Sequence, residues 1–421
     1  MQTQEPVLET PDNVEPVAPT WHTLLLPWWR AVVAVLPVFL FTRLLFVLLG
    51  YFGGVLFTTA NFSPTPVSYH NLLAGWNQGD EASYIALATD GYTKAQQVLF
   101  FPLYPTLMRL FAPLLRHSML ASGFFLSNSA FLGALIVAYR LVETEFDRDT
   151  AKRTVLYLAI FPTAFFFFVA YSESLFLLLA LLSVYAVRRG AWWLAGLFGA
   201  LATLTRFEGV FLFVVFGYEF VRQMTPSIRQ AWGEKSLLKR FVPASYGLAG
   251  LLILLGLFVY ISALNSLFHD PFAVFHAQQG AGLAAPWVGP LRAVNTLFRQ
   301  PRTSFAAVHT LLDFIALALF IMLLVLCFFG PERFARSQWV LALFGTLLLF
   351  YALLFPASPM AHGGAYDPLA SMQRLVLSIF PAFILLGRLG RRAWFHQGYL
   401  LLALPLLAFF VLQFITGHWT V

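Results

Sequence analysis

The sequence predicts an all-α polytopic membrane protein, and three observations support this fold class. The 421 residues are 59% hydrophobic and only 11% charged, whereas a typical soluble domain has about 25% charged residues. Apolar runs of about 17 to 25 residues, long enough to cross a hydrocarbon core about 30 Å thick, recur along the chain. Positive charges stand in short clusters between these runs. Such a chain cannot hide its apolar surface from water, so we expect its helices to lie in lipid.

The chain divides into a short tail and one long membrane domain. Residues 1–28 precede the first apolar run and are predicted to form a disordered cytoplasmic tail, because residues 1–20 are rich in polar and acidic residues and contain several prolines. Residues 29–421 are predicted to form one integral membrane domain with about eleven transmembrane helices. The predicted spans cover residues 31–51, 120–141, 154–170, 174–187, 191–206, 207–222, 242–264, 309–330, 337–355, 373–388 and 397–416.

The net charge of +7 has two interpretations. A basic chain can bind nucleic acid or another acidic partner. However, most of the 26 Lys and Arg residues fall on one side of the predicted spans, as the positive-inside rule requires of cytoplasmic loops. We therefore expect membrane lipids as partners and no nucleic acid. The opposite side faces the periplasm, the cell exterior or an organelle lumen in this interpretation.

Two long loops lie on this outer side, at residues 52–119 and 265–308. The first is predicted to contain short interfacial helices, since its segment 100–105 is broken by prolines and is followed by an apolar helical pattern. The second is rich in proline and glycine and is predicted to be a loop with short helices at most. Long ordered loops on a rigid bundle usually carry function. A functional site is therefore expected in these loops, and above all in the first.

An acidic stretch of the first loop has the spacing of a helix. Asp80 and Tyr84 are four residues apart and share one helix face, while Asn77 can cap the helix and Gly91 can end it. Asp80 and Glu81 then have two interpretations, which residue chemistry alone does not separate. They are either groups that take part in chemistry or acids that only stabilise the positive end of the helix dipole.

Other charged residues lie near the outer ends of predicted spans. Arg206 and Arg374 are either ligands for a phosphate group or interfacial cations that extend toward water. Glu173 either orients a substrate or balances an arginine, or it is a turn residue between two spans. Glu208, two residues after Arg206, can pair with it.

Several motifs occur in order between residues 75 and 210. They are Asp80-Glu81-Ala82-Ser83-Tyr84 followed by Gly91-Tyr92, Phe101-Pro102-Leu103-Tyr104-Pro105, Phe161-Pro162-Thr163-Ala164-Phe165-Phe166, Tyr171-Ser172-Glu173-Ser174-Leu175-Phe176, Trp192-Trp193-Leu194-Ala195-Gly196 and Leu204-Thr205-Arg206. This series resembles the PIG-V type mannosyltransferases and their bacterial relatives, within the GT-C superfamily of polyprenyl-phosphate-sugar-dependent glycosyltransferases. The chain departs from the family pattern at Gly79, Ser83 and Phe207, where Trp, an aromatic residue or His, and Pro are usual.

The resemblance implies a glycosyltransferase that acts outside the cytoplasm. It would move a sugar, mannose-like, from a polyprenyl-phosphate donor to a hydroxyl group of a glycan, lipid or protein, with inversion at the anomeric carbon. Asp80 would be the general base, a role that contributes about 10²- to 10⁴-fold in rate. The predicted substrate-binding residues are Glu81, Tyr84, Tyr104, Glu173, Arg206, Glu208 and Arg374.

The sequence indicates no certain cofactor and no metal-binding residue. It has no nucleotide-binding loop, no zincin motif and no paired C-x-x-C. The adjacent acids Asp80 and Glu81 leave a divalent cation as an option, although no D-x-D spacing is present.

Two other classes of function remain open. A polytopic transporter or lipid flippase would also be basic inside, but transporters place ionisable groups near the midplane of the membrane and usually have paired halves. The acids here cluster in an outer loop instead. A noncatalytic membrane assembly subunit would agree with the departures at Gly79 and Ser83.

Overall fold

The structure, a computed structural model, describes residues 21–56, 75–233, 237–279, 283–356, 368–369 and 371–417, with side chains described except at 21–24 and 226–244. Every regular element in these ranges is helical, which confirms the predicted all-α class. The α-helices are α1 (Trp21–Leu56), α2 (Glu81–Asp90), α3 (Leu103–Phe111), α4 (Met119–Glu145), α5 (Arg148–Ala159), α6 (Glu173–Arg188), α7 (Trp192–Thr205), α8 (Leu212–Gly233), α9 (Leu237–Phe268), α10 (Ala273–Gln279), α11 (Val288–Arg299), α12 (Phe305–Phe328), α13 (Trp339–Leu354), α14 (Met372–Leu375), α15 (Phe380–Leu389) and α16 (Ala393–Ile415). Short 3₁₀ helices cover Ala95–Leu99, Ala112–Leu115, Ala164–Phe167, Phe207–Phe211, Arg336–Gln338 and Val376–Ser378.

Six helices in the described ranges are long and apolar enough to cross a membrane, or seven if the bent pair of α14 and α15 forms one span. The six are α1, α4, α9, α12, α13 and α16, so the chain is a multi-pass integral membrane protein. The predicted number of about eleven spans is not confirmed. Helices α5, α6 and α7 fall in predicted spans but have only 12, 16 and 14 residues. At about 1.5 Å per residue, each is shorter than a hydrocarbon core about 30 Å thick.

The N-terminal tail differs from its prediction in its last part. Residues 1–20 lie outside the described residues, but α1 begins at Trp21, so residues 21–28 are helical and not disordered. Leu25 and Leu26 are exposed on this part of α1. Because they continue the apolar surface that α1 presents to lipid, the helix extends past the predicted boundary.

The predicted span at 154–170 is wrong as a single helix, because α5 ends at Ala159. Residues 160–172, which we call the central segment, continue as turns around a short 3₁₀ helix. Pro162 has no backbone N–H and crowds the preceding turn, so it disfavours continuation of α5, although α1 and α16 continue through prolines. Irregular backbone at membrane depth is tolerated only inside protein, and the central segment is buried.

Polar side chains from α1 and α4 bind the carbonyl groups of the central segment. Arg43 of α1 donates to Phe167 O at 3.1 Å and to Asn128 Oδ1 at 2.8 Å. Asn128 of α4 in turn donates to Phe168 O at 2.9 Å. Arg43, a cation within the first predicted span, therefore supports irregular backbone in the protein interior.

Helix α6 connects the two ends of the bundle, and each end carries its own charged cluster. Its last residue, Arg188, donates to Glu145 Oε1 at 2.8 Å, to Glu219 Oε1 at 2.8 Å and to Ser337 O at 2.6 Å. These bonds tie α4, α8 and the loop before α13 together at one end. Its first residue, Glu173, lies at the other end, where α2, α7 and α14 also contribute charged side chains.

Candidate active site

Asp80 lies immediately before α2 and faces a charged partner. Helix α2 (Glu81–Asp90) ends at Gly91, which confirms the predicted helix and its end. Asp80 occupies the N-cap position that was predicted for Asn77, but its side chain makes no capping hydrogen bond. Its Oδ2 instead lies 2.5 Å from Arg374 Nη1. Asp80 therefore does not cap α2 through its side chain, and its proximity to the positive end of the helix dipole does not account for its contact with Arg374.

Glu173 joins two arginines at the first residue of α6. Its Oε1 accepts from Arg374 Nε at 2.5 Å and from Arg206 Nη1 at 2.9 Å. Its side chain is only 1% exposed, and a buried carboxylate requires such partners to remain charged. Glu173 is thus neither solvated nor a plain turn residue, and neither arginine extends away from the protein toward water.

Arg206 extends the cluster to a third acid. It follows α7 directly, and its Nη2 and Nε lie 3.0 and 3.3 Å from Glu208 Oε1. The predicted pairing of Arg206 with Glu208 is thereby confirmed. Asp80, Arg374, Glu173, Arg206 and Glu208 form one continuous row of alternating charges, which we call the charge row.

A cavity of about 360 Å³ opens beside the charge row. Its polar wall consists of Asp80, Tyr84, Ser172, Arg206, Glu208 and Arg374. Tyr84 donates to Ser172 Oγ at 2.7 Å, which fixes the phenol in this wall. Asp80 is the most exposed member of the charge row, at 27% of its side chain. Four of the charged groups therefore meet whatever occupies the cavity, and Glu173 lies behind them.

The apolar part of the lining, which we call the aromatic wall, is largely aromatic. It includes Leu99, Phe100, Phe101, Phe207, Leu348, Tyr351 and Phe355. Phe207 and Tyr351 stack with their ring centroids 5.1 Å apart. A cavity lined by both charged and aromatic side chains suits a molecule with a polar, anionic part and an apolar part.

Another cavity, of about 400 Å³, lies between α12 and α16. Its lining includes Leu312, Leu319, Leu402 and Phe410, and none of its lining residues is an Asp, Glu, Lys or Arg. Acid–base chemistry needs titratable groups, so we assign the candidate site to the cavity at the charge row.

Besides Glu173, two more of the predicted substrate-binding residues lie behind the cavity wall. Glu81 is fully buried, and its Oε1 accepts from Ala170 N of the central segment at 2.7 Å. Tyr104 is also buried, with its hydroxyl 2.7 Å from Ser127 Oγ and its ring 4.9 Å from that of Tyr84. Tyr104 thus supports a residue that lines the cavity, Glu81 supports the central segment, and neither lines the cavity.

The burial of Glu81 affects its protonation. Burial raises the pKa of Glu81 to about 8, and the neighbouring charge of Asp80 adds to this effect. An acid whose pKa is higher in the folded state stabilises the fold fully below its unfolded pKa, 4.5, and loses that contribution as the pH rises toward about 8. We expect Glu81→Gln, which keeps an acceptor for Ala170 N, to remove this pH dependence.

Thermal unfolding of the purified protein between about pH 5 and about pH 8.5 tests this expectation. The melting temperature of the wild type should fall across this range more than that of Glu81→Gln. Asp90→Asn, at the exposed end of the same helix, is the control and should follow the wild type. Parallel curves for the wild type and Glu81→Gln would mean that Glu81 is already ionised in the folded protein.

Asp313, which lies on α12 within a predicted span, was not among the predicted site residues. Its side chain is buried, and Oδ1 accepts from Gln373 N at 2.7 Å. Thr163 of the central segment donates to Gln373 O at 2.7 Å. Both bonds fix the backbone next to Arg374. The available signal was an ionisable residue in an apolar run, which usually marks a functional position.

No group of three or more His, Cys, Asp or Glu side chains in the described ranges is placed to hold a metal ion. The predicted option of a divalent cation stays a prediction.

Comparison with known proteins identifies one family. The family model described as Mannosyltransferase (PIG-V) matches residues 56–287. No curated protein matches the chain.

Several solved structures have a similar arrangement of helices, at low similarity. The Archaeoglobus fulgidus oligosaccharyltransferase in its apo form is 12% identical, with a TM-score of 0.43 over 90% of this chain and 56% of that one. The same organism's enzyme in complex with an inhibitory peptide and a dolichol-phosphate is 11% identical, with a TM-score of 0.42 over 95% of this chain and 56% of that one. The complex with Zn and sulfate is 12% identical, with a TM-score of 0.41 over 89% of this chain and 53% of that one. The chain therefore spans slightly more than half the length of these proteins.

Proposed function

The chain belongs to the PIG-V mannosyltransferase family, and from this premise we propose that it transfers a mannose-like sugar from a polyprenyl phosphate to a hydroxyl acceptor at the extracytoplasmic face of the membrane. The observation that carries the proposal is one cavity that joins an accessible carboxylate, two guanidinium groups and an aromatic wall. Each of these features matches one requirement of the reaction. The reaction needs a proton acceptor, positive charge for a departing phosphate, and an apolar surface for a lipid-linked donor.

Asp80 is the proposed general base. Arg374 holds its Oδ2, which leaves Oδ1 to take the proton of the acceptor hydroxyl as the oxygen bonds to the anomeric carbon. The bond between that carbon and the phosphate oxygen breaks in the same step, and its electron pair stays on the phosphate. Attack from the side opposite the phosphate inverts the anomeric centre. Asp80 is restored when it passes the proton to water.

Arg374 and Arg206 are the proposed partners of the departing phosphate. Both line the cavity, and a guanidinium presents five N–H donors in a planar fork. Arg374 uses Nε and Nη1 for the carboxylates of Glu173 and Asp80, so Nη2 remains for a phosphate oxygen. The two acids hold this arginine in place before the donor arrives, which lowers the cost of reorganisation during the reaction.

The aromatic wall is the proposed contact for the apolar part of the donor. Phe100, Phe207, Tyr351 and Phe355 all line the cavity. Burial of apolar surface stabilises a bound chain by about 25 cal/mol per Å². Glycan, lipid and protein hydroxyl groups all remain acceptors that the polar wall can accommodate.

A transfer assay on the purified full-length chain tests this proposal. Radiolabelled polyprenyl-phosphate mannose, polyprenyl-phosphate glucose and GDP-mannose are each offered with a panel of glycan, lipid and peptide hydroxyl acceptors, with and without EDTA. We expect label to move only from the lipid-linked donors, and fastest from the mannose donor. Asp80→Asn is the inactive control.

Three results would contradict the proposal. Transfer from GDP-mannose in preference to both lipid-linked donors would assign a different donor class. Release of no label by the isolated chain, while the donor still binds, would favour the alternative of a noncatalytic assembly subunit. Movement of intact donor across a vesicle membrane without sugar transfer would favour the flippase alternative.

A further inference from the structure

A second charged cavity lies at the end of the bundle opposite the charge row. It has a volume of about 430 Å³ and lies between the end of α4, the loop from α12 to α13 and the end of α15. Its lining includes Arg333, Arg388 and Arg391, together with Glu145, Asp147 and Gln338. We call it the basic cavity.

Both acids of the basic cavity already have partners. Glu145 Oε1 accepts from Arg188 Nε at 2.8 Å, and Arg188 does not line the cavity. Asp147 caps α5, where it accepts from Thr150 N at 2.8 Å and from Thr150 Oγ1 at 2.7 Å. The charge of Arg391 still acts on Asp147, although the two residues do not form a salt bridge.

The arginines are unequally paired. Arg388 lies 2.9 Å from Glu332 Oε2 and stacks over the ring of Phe146 at 5.2 Å, so its guanidinium is fixed in position. Arg333 and Arg391 are exposed, and within the described ranges neither forms an ion pair. Because three arginines and two acids line it, the basic cavity keeps an excess of positive charge, although Asp147 offsets part of the charge of Arg391.

The position of the basic cavity places it at the membrane surface. Arg391 is followed two residues later by α16, where Trp394 is 68% exposed and Leu401 and Leu402 are exposed as well. Exposed leucines mark the lipid-facing part of the helix, and an exposed Trp at a helix end is typical of the headgroup level. Arg391 therefore lies next to the end of α16 at which a headgroup level is expected.

We propose that the basic cavity binds the phosphate of an anionic phospholipid headgroup. Guanidinium groups bind phosphate oxygens through paired, charge-assisted hydrogen bonds, and basic pockets between transmembrane helices are suited to anionic headgroups. A lipid is favoured over a soluble phosphate because the cavity adjoins the lipid-facing surface of α16. The proposal does not depend on the reaction at the charge row.

Native mass spectrometry of the purified chain tests this proposal. Dioleoylphosphatidylglycerol or dioleoylphosphatidylcholine is titrated into the detergent-solubilised protein. We expect phosphatidylglycerol to bind the wild type at least about tenfold more tightly than phosphatidylcholine. The double variant Arg333→Gln, Arg391→Gln should bind phosphatidylglycerol about 30-fold more weakly than the wild type, since each arginine contributes about fivefold.

The control is Arg336→Gln, Arg392→Gln, which removes two exposed arginines near the same end that do not line the cavity. It should keep the preference for phosphatidylglycerol. If both double variants weaken binding equally, the lipid responds only to the net charge of this end, and the proposal is overturned. Displacement of the lipid by an equal concentration of glycerol phosphate would identify a soluble occupant and would also overturn it.

The variant is designed to fold, because neither exchanged arginine makes an ion pair in the described structure. Its melting temperature is compared with that of the wild type. If the double variant unfolds, the single variant Arg391→Gln replaces it, with an expected loss of about fivefold. Unchanged binding of phosphatidylglycerol by the folded single variant would contradict the proposal.

Discussion

Asp80→Asn is expected to abolish sugar transfer while the protein remains folded. The amide cannot accept a proton from the acceptor hydroxyl, so we expect kcat to fall about 10²- to 10⁴-fold. Asp80 is the most exposed acid of the charge row, so the substitution should have little effect on folding. The measurement is steady-state transfer from polyprenyl-phosphate mannose, with the apparent KM for the donor determined separately.

The matched control for this variant is Asp90→Asn, an exposed acid at the other end of α2. It should retain full activity. Donor affinity should change by only a few fold in Asp80→Asn, because the guanidinium groups proposed to bind the phosphate are still present. Undiminished turnover by a folded Asp80→Asn protein would remove Asp80 from the mechanism.

Arg374→Lys is expected to cause the second largest loss of activity. Arg374 bonds Asp80 and Glu173 at once, both at 2.5 Å, and its guanidinium lies 4.4 Å above the ring of Tyr171. A lysine keeps the charge, but its single ammonium group cannot reproduce this planar arrangement. Charge-assisted hydrogen bonds contribute about 1.5 to 3 kcal/mol each, so loss of one predicts a fall in kcat/KM of about 10- to 150-fold.

Kinetic parameters distinguish this role from a purely structural one. If Arg374 orients Asp80 and holds the phosphate, kcat should fall and the KM for the donor should rise, with the melting temperature nearly unchanged. Arg299→Lys, at the exposed end of α11, is the control and should match the wild type. A loss that appears only in the melting temperature would assign Arg374 to the stability of the bundle.

The helical and apolar parts of the fold follow from local patterns. Periodic spacing and a terminal glycine predicted α2 and its end, because both signals act within a few residues. The predicted span at 154–170 is wrong because the helix ends before Pro162, although the surrounding residues are apolar. Hydropathy cannot separate a membrane span from a buried irregular segment, since both exclude water.

The charge row shows what a single sequence leaves undecided. Asp80 and Arg374 are 294 positions apart, and no local signal pairs them. Asp80 and Glu81 are neighbours, yet Asp80 lines the cavity and Glu81 is buried behind it. Adjacent helical residues point about 100° apart, so only the packing of α2 decides which acid meets the substrate.

The central segment links parts of the protein that are distant in sequence. Its backbone is bonded to Arg43 of α1, to Glu81 of α2 and, through Thr163, to the residue that precedes Arg374. A displacement of this segment would therefore shift Glu81, with its neighbour Asp80, and Arg374 together. A substitution of Arg43, which does not line the cavity, would then lower the rate of sugar transfer.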